Sequence, residues 1–249
     1  VITGVRVPKT LQVFTSHDEL VASRPPHLPI FLKFNADSGS VFQIDSEEEW
    51  NKLRMSPKLK RTWNKKYGYL KGSWQYSFVE PQFFYEEFVA TDGVDYKLHC
   101  VNGRVAFIQL IWDRTSGGKE AILLEDGSRT PLHLDGNFEP SVPRHISRQT
   151  LATMKDVAQM LSGGVRYLRV DLMLSGVTVI AGELTPFPVA GAYSTRDNLE
   201  LGRLLAAANS PSQEWLDEGS NRLRTSASGY RDLRTSVWAG RYSLVERSL

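Results

Sequence analysis

A single cysteine, Cys100, occurs in 249 residues. One thiol excludes an internal disulfide framework and a cysteine-rich zinc site. It agrees with a reducing compartment, so a cytoplasmic protein is expected. No run of about eighteen apolar residues exists, and no transmembrane helix is expected. No charged-apolar-small leader opens the chain either. It starts at Val1 in text that already reads as mid-domain, and residues are expected to be missing upstream. A formal net charge of +2 is too small to point to nucleic acid. The five histidines are scattered, without H-x-x-x-H or H-E-x-x-H spacing, and each reads as structural. The G-x-x-x-x-G-K-[ST] phosphate loop and the G-x-S-x-G nucleophile elbow are absent. Cys100 lies in an apolar stretch and reads as packed rather than nucleophilic.

What is present suffices for a substantial core: 41% of residues are hydrophobic and 23% are charged. The length suits one large domain or two intimate lobes. Apolar runs at Leu11 to Phe14, Leu28 to Phe34 and Val41 to Ile44 predict strands. Ser46 with Glu49 forms a capping box for a helix that stops before Pro57. Strands are also predicted from Phe83 to Val89, Tyr96 to Val101 and Val105 to Trp112, with a hairpin at Asn102-Gly103. Leu151, Met154, Val157, Ala158 and Leu161 share one face of a helix that begins after Ser147 and ends at Gly163-Gly164. A second helix follows from Asn198, and a polar tail, loosely ordered or helical, from about Ser210. Residues 56–76 mix lysine and arginine with tryptophan and tyrosine. That mixture reads chiefly as a solvated helix with its aromatics turned inward, against a single-stranded nucleic-acid surface. The fold class is α+β, with antiparallel hairpins alternating with a few helices.

Chemistry concentrates in three places. Lys33 interrupts an apolar strand just before the small polar loop Asn35 to Ser40, where an ammonium and backbone N–H groups can meet a phosphate. An edge-strand lysine that snorkels to water is the equal alternative. Glu86 and Glu87 close another apolar strand whose backbone can face a purine, and Asp95 beyond Gly93 can accept from ribose hydroxyls. Exposed strand-end acids are the plainer reading. The third place is RVDLMLSGVTVIAGELTPFP, Arg169 to Pro188, an apolar hairpin with Asp171 and Glu183 near its open end. Carboxylates in such a setting are paired or hold a metal, and one or two carboxylates completed by phosphate and water suit Mg2+. Side chains alternate between strand faces. A two-residue Ser175-Gly176 turn would therefore send the two acids to opposite faces. A three-residue loop, Ser175 to Val177, would set Asp171 opposite Ala181, diagonal to Glu183 at roughly 7–8 Å. A metal site thus needs an odd loop or a bulge.

The order GVRVPKTLQVF, LPIFLKFNADSGSVFQI, FFYEEFVATDGVDYKLH and RVDLMLSGVTVIAGELTPFP resembles the nucleotide site of the ATP-grasp superfamily. With WNKKYG, WQYSFVEP, DYKLHCVNGRV, WDR and GELTPFP, it resembles the TupA-like branch in particular, over about Gly4 to Gly202. The resemblance implies two α+β lobes with antiparallel sheets gripping ATP, small lobe 1–80 and large lobe 81–209, with 210–249 an unassigned tail. It implies Lys33 on the phosphates under a loop containing Asp37, Ser38 and Gly39. Glu86, Glu87 and Val89 would border the adenine, and Asp95 would hold the ribose. Asp171, Glu183 and Thr185 would hold Mg2+, Arg169 would stabilise the developing oxyanion, and Lys97 and Arg114 would reach phosphate or substrate. Thr185 replaces the superfamily's usual asparagine. The superfamily's preceding lobe, with a further phosphate-binding lysine, is missing from this chain, so either a partner or absent residues would supply it, or the site is incomplete. The implied function is an ATP-dependent ligase joining a carboxylate to an amine through an acyl phosphate, in cell-surface polymer or peptide-like metabolite biosynthesis. A kinase acting on a hydroxyl and a non-catalytic nucleotide-binding protein remain the alternatives.

Overall fold

The computed structural model describes residues 4–65, 74–143, 145–191, 193 and 195–209. Lys66, Tyr67 and Tyr69 of the basic-aromatic segment, and the tail beyond residue 209, lie outside the described residues. The described chain divides into two compact units, one of residues 8–89 and one of residues 4–7 with 90–209.

In the first unit, strands β1 (Thr10–Phe14), β2 (Ile30–Phe34), β3 (Val41–Ile44) and β4 (Phe83–Glu87) form an antiparallel sheet in the order β1-β4-β2-β3. Helices α1 (His17–Ala22), α2 (Glu47–Arg54) and α3 (Pro57–Trp63) belong to the same unit. Alternation along β2 turns Ile30, Leu32 and Phe34 into a core with Phe14, Trp50, Leu59, Phe83 and Tyr85. Ser46 caps α2 through the Glu49 N–H, while the Glu49 carboxylate accepts from the amide of Asp45, one residue earlier than a capping box requires. On α3, Lys58, Lys60 and Arg61 are exposed while Trp63 packs on Phe34 and Phe83, as a solvated helix requires.

In the second unit, β5 (Val94–Val101), β6 (Arg104–Trp112), β7 (Lys119–Leu124), β8 (Glu139–Pro140), β9 (Tyr167–Ser175) and β10 (Thr178–Thr185) form a sheet ordered β10-β9-β5-β6-β7-β8. Every pairing is antiparallel except β7 with β8. One face is apolar: Tyr96, Leu98, Cys100, Ile108, Leu110, Leu168, Val170 and Leu172 pack against Leu151, Met154 and Ala158 of α4 (Arg148–Ser162). The other face is polar toward β10 and becomes apolar near α5 (Asn198–Asn209), which buries Leu201 and Ala208 against Val101, Phe107 and Ile122. Cys100 is buried among apolar neighbours and its thiol is pushed up to about 11 by that burial.

The boundary falls after Val89 rather than at residue 80. The strand FFYEE pairs with β1 on one side and β2 on the other, so it belongs to the first sheet.

Candidate functional site

The polar face of the six-stranded sheet is a direct product of strand alternation. Asp95, Lys97 and His99 occupy every second position of β5 and share a face. Their directly paired neighbours carry the row onward. Asp171 lies opposite Lys97 and Arg169 opposite His99 on one side, with Gln109 opposite Lys97 on the other.

The hairpin β9–β10 joins this row by a bulge. Its turn is two residues long, Gly176-Val177, with Ser175 paired to Thr178 and Gly176 at φ +60°. Glycine at the first turn position with positive φ suits a tight hairpin. Of the two arrangements a metal site allows, the three-residue loop Ser175 to Val177 does not form and a bulge does. Uninterrupted, this register would put Asp171 and Glu183 on opposite faces. A bulge between Ala181 and Glu183 inserts Gly182 as the extra residue, and Glu183 then pairs directly with Asp171 and Thr185 with Arg169. A Cβ at Gly182 would stand 3.2 Å from Met173 Cε and 3.6 Å from the Asp171 carbonyl oxygen, so a small residue suits the crowded position.

Asp171 is buried and holds two cations. Arg169 donates from Nε to Oδ1 at 2.6 Å and from Nη2 to Oδ2 at 2.8 Å, and the Lys97 ammonium is ion-paired with Oδ2. Burial alone would raise the Asp171 pKa, but the charges of Lys97 and Arg169 outweigh it and hold the carboxyl below its usual value. Burial also works against the Arg169 guanidinium, and Asp171 reverses that and raises its pKa. Arg169 further donates from Nη2 to Thr185 Oγ1 at 3.2 Å and from Nη1 to Tyr193 Oη at 3.3 Å. The Thr185 hydroxyl donates to Glu183 Oε1 at 3.0 Å. Arg169, Lys97, Asp171, Glu183 and Thr185 are thus one connected group.

Asp95 and Arg114 pair with each other at the edge of this unit. Nε and Nη2 of Arg114 reach Asp95 Oδ2 at 2.8 and 2.6 Å, and the guanidinium lies 5.5 Å from the Phe138 ring centroid.

The first unit presents its own group. Lys33 lies on β2, between β4 and β3, rather than on an edge strand, and it is ion-paired with the buried carboxylate of Glu86, a diagonal neighbour on β4. Asp37 is buried and closes the loop on itself, accepting from Ser40 N at 3.2 Å and Ser40 Oγ at 2.7 Å, with Lys65 Nζ at 3.1 Å. Ser38 and Gly39 form the exposed tip, Gly39 at φ +98°. Asn35 ties the loop to β4 by accepting from Gln82 N at 2.7 Å. The N–H of Glu87 donates to the Lys9 carbonyl at 3.0 Å, and Val89 is half-buried beyond the strand end.

Several residues of the polar face are not conspicuous in the sequence. His99 is fully buried, stacks on Phe107 at 4.2 Å and lies 2.9 Å by Nδ1 from Tyr167 Oη. Burial, with Arg169 nearby, lowers its pKa to about 3, so it is neutral. Burial likewise raises the Tyr167 and Tyr193 hydroxyls. Glu120 and Gln109 are buried and hydrogen-bonded to each other, with the half-buried His133 ring beside Glu120. The i, i+2, i+4 spacing of Asp95, Lys97 and His99 is the sequence signal for the row.

As a donor set, two adjacent carboxylates and a hydroxyl fit a hard divalent cation whose remaining positions are taken by phosphate oxygens and water. Among the described residues no group of three or more His, Cys, Asp or Glu is placed to hold a metal by itself. The set therefore fits a cation that arrives with a polyphosphate.

The family model described as TupA-like ATPgrasp matches residues 5–206, and the chain belongs to that family. No curated protein matches. Among solved structures, the chain is similar to a D-alanine–D-alanine ligase from Bacillus anthracis at 14% identity and a TM-score of 0.45, covering 88% of this chain and 64% of that one. It is also similar to an L-amino acid ligase from Bacillus licheniformis at 17% identity and a TM-score of 0.40, covering 74% and 36%. A third is the ATP-grasp ligase PsnB, in complex with a minimal precursor, at 14% identity and a TM-score of 0.41, covering 82% and 56%. The chain spans between about a third and two thirds of the length of these ligases. Among the described residues no helix is long and apolar enough to cross a membrane.

Proposed function

We propose that this chain carries the ATP- and Mg2+-dependent site of a carboxylate–amine ligase that makes an amide through an acyl phosphate. The observation that supports it best is the bulge at Gly182, which brings Glu183 beside Asp171 on the polar face, next to Arg169 and Lys97. Membership of an ATP-grasp family supports the nucleotide. Asp171 and Glu183, with Thr185 supporting Glu183, would hold Mg2+, which supplies neutralisation of phosphate charge.

Phosphoryl transfer asks for positioning and charge stabilisation more than for a protein nucleophile. Lys33 and Lys97 are suited to phosphate oxygens and Arg169 to the oxyanion that grows as the acyl phosphate forms and collapses. Both lysines rest on carboxylates, Glu86 and Asp171, so binding a polyphosphate exchanges one anionic partner for another. Asp37, turned inward onto Ser40 and Lys65, would order the loop, leaving Ser38 and Gly39 to cover the phosphates. Glu86, Glu87 and Val89 would line the adenine side, with Asp95 at the ribose and Arg114 steadying Asp95. The substrates are a carboxylate and an amine of a cell-surface polymer precursor or a peptide-like metabolite.

The test is chemical trapping. Full-length protein with ATP, Mg2+, hydroxylamine and a pool of amino acids, dicarboxylic acids and sugar acids should yield a hydroxamate and ADP. ATP consumption with phosphate appearing on a hydroxyl and no hydroxamate would favour a kinase instead.

A further inference from the structure

Charge in this chain is nearly balanced, 30 basic residues against 28 acidic, yet it is unevenly spread. Between Glu49 and Glu80 the sequence holds no acidic residue, while Lys52, Arg54, Lys58, Lys60, Arg61 and Lys65 fall within that stretch. A helix face that only meets water usually mixes both signs, which limits repulsion and adds i, i+4 pairs. Helix α2 does so, with Glu47, Glu48 and Glu49 in its first turn and Lys52 and Arg54 in its last. Helix α3 does not. Leu59 and Thr62 are buried and Trp63 packs inward, so Lys60 and Arg61 stand on the outward side, with Lys58 on the flank that reaches β3. No carboxylate among the described residues pairs with Lys58, Lys60 or Arg61. Like charges at i, i+3 weaken a helix, and Lys58 stands in the first turn, where the helix dipole disfavours a cation. Within the described chain nothing offsets that cost.

Three contacts fix where this face lies. Lys58 Nζ sits 4.6 Å from the Phe42 ring centroid on β3, an end strand of its sheet. Trp63 lies 5.7 Å from the Phe83 ring and 6.2 Å from that of Phe34. Just beyond the helix, Lys65 Nζ meets Asp37 Oδ2 at 3.1 Å, in the loop that carries Ser38 and Gly39. The cations therefore run from the edge of the sheet to loop 35–40, roughly 10 Å at helical rise. An extended peptide of roughly three or four residues covers that length. The one aromatic ring of α3 is turned inward, so this face offers bases nothing to stack on, which disfavours single-stranded nucleic acid.

We infer that the outward face of α3 docks an acidic peptide, a chain of Glu or Asp residues, and leads its carboxylates toward loop 35–40. The docking rests on charge complementarity, and the use of the bound chain as carboxylate substrate rests on the ligase reading above. Lys58, Lys60 and Arg61 hold the chain by ion pairs, and Lys65 marks the end at which it meets the loop. Each pair is exposed to water, so each is weak and screened by salt. Several in a row hold a polyanion where a single small acid would not stay.

The probe is a fluorescein-labelled deca-glutamate peptide, followed by fluorescence anisotropy with the full-length protein. Deca-glutamine and an oligothymidylate of equal charge serve as the neutral and nucleic-acid counterparts. Wild type should bind deca-glutamate, ignore deca-glutamine and bind the oligonucleotide more weakly. The triple variant Lys58→Gln, Lys60→Gln, Arg61→Gln keeps long helix-forming side chains and leaves Lys65 on Asp37. It should bind deca-glutamate roughly tenfold more weakly, the scale of three exposed ion pairs. The double variant Lys60→Gln, Arg61→Gln spares the contact of Lys58 with Phe42 and should show an intermediate loss. Hydroxamate formation then tests the chain as substrate. With deca-glutamate as the carboxylate, KM should rise in the triple variant by the same factor as Kd. With the small carboxylate found by trapping it should match wild type, which also reports an intact fold. Absent deca-glutamate binding, equal affinity in the triple variant, or tighter binding of the oligonucleotide overturns the inference. Hydroxamate from the small carboxylate but not from deca-glutamate, or an unmoved KM, overturns the chain's role as substrate. If deca-glutamate binds through α3 and wild type makes no hydroxamate at all, the docking surface stands and the ligase reading falls.

Discussion

Two residues on one sheet face show how burial sorts charge in this chain. Asp171 keeps its charge because a bidentate guanidinium and an ammonium surround it, and removing one partner of such a buried pair typically costs about 3–5 kcal/mol. His99, one strand away and paired opposite Arg169, loses its charge because burial is offset only weakly. With its pKa lowered from 6.5 to about 3, neutral His99 stabilises the fold fully above pH 6.5. As pH falls from 6.5 toward 3 the unfolded chain takes up the proton and the folded chain does not. Stability should then fall by up to about 1.4 kcal/mol per pH unit from this group. Urea unfolding from pH 7 to pH 4 should show that slope, and His99→Gln should flatten it. An unchanged slope in the variant would assign the acid sensitivity elsewhere. Neither behaviour follows from residue type alone. The sequence marks Asp171 as an anomaly and sets Arg169 two residues before it on the same strand, but Lys97 is brought to it only by register across β5 and β9.

At the scale of elements, the bulge decides whether a site exists. The apolar alternation of Arg169 to Pro188 makes the hairpin legible, and the parity of strand faces makes an odd loop or a bulge necessary. Which of the two occurs depends on the turn, where glycine favours the first turn position and so selects Gly176-Val177 over Ser175-Gly176. Deleting Gly182 removes the extra residue, so regular pairing should still set Glu183 opposite Asp171 and Thr185 opposite Arg169. Far-UV circular dichroism and Mg2+-dependent ATP binding, followed by calorimetry, should then stay close to wild type. Glu183→Ala should lose that binding, and retained binding in it would show that Glu183 does not act beside Asp171. Elsewhere local signals sufficed. Asn102 and Gly103 adopt φ of +49° and +79° at the predicted hairpin, and the apolar stripe of α4 packs as its spacing requires. Strand β7, KEAILL, carries no such signal, because an apolar run this short suits a helix as well as a strand. Only pairing with β6 settles it.

At the scale of the molecule, each unit has its own core and its own lysine–carboxylate pair among the candidate residues, Lys33 with Glu86 in one and Lys97 with Asp171 in the other. The α+β class and the order of the candidate residues were legible in the sequence. The limit of the first unit was not, since Phe83 to Glu87 could begin a new lobe until its two partner strands are known. His133 and Glu120 were illegible for a related reason. Thirteen positions apart in sequence, they meet through a loop whose path is fixed by bonds to Thr195 and Asp197. The central claim is that Glu183, set beside Asp171 by the bulge, serves an ATP-driven ligation. Its most direct test is ADP release by Glu183→Gln, assayed with ATP, Mg2+, hydroxylamine and the carboxylate found by trapping. The account predicts that release falls to background while circular dichroism and the unfolding midpoint match wild type; release at the wild-type rate would contradict it.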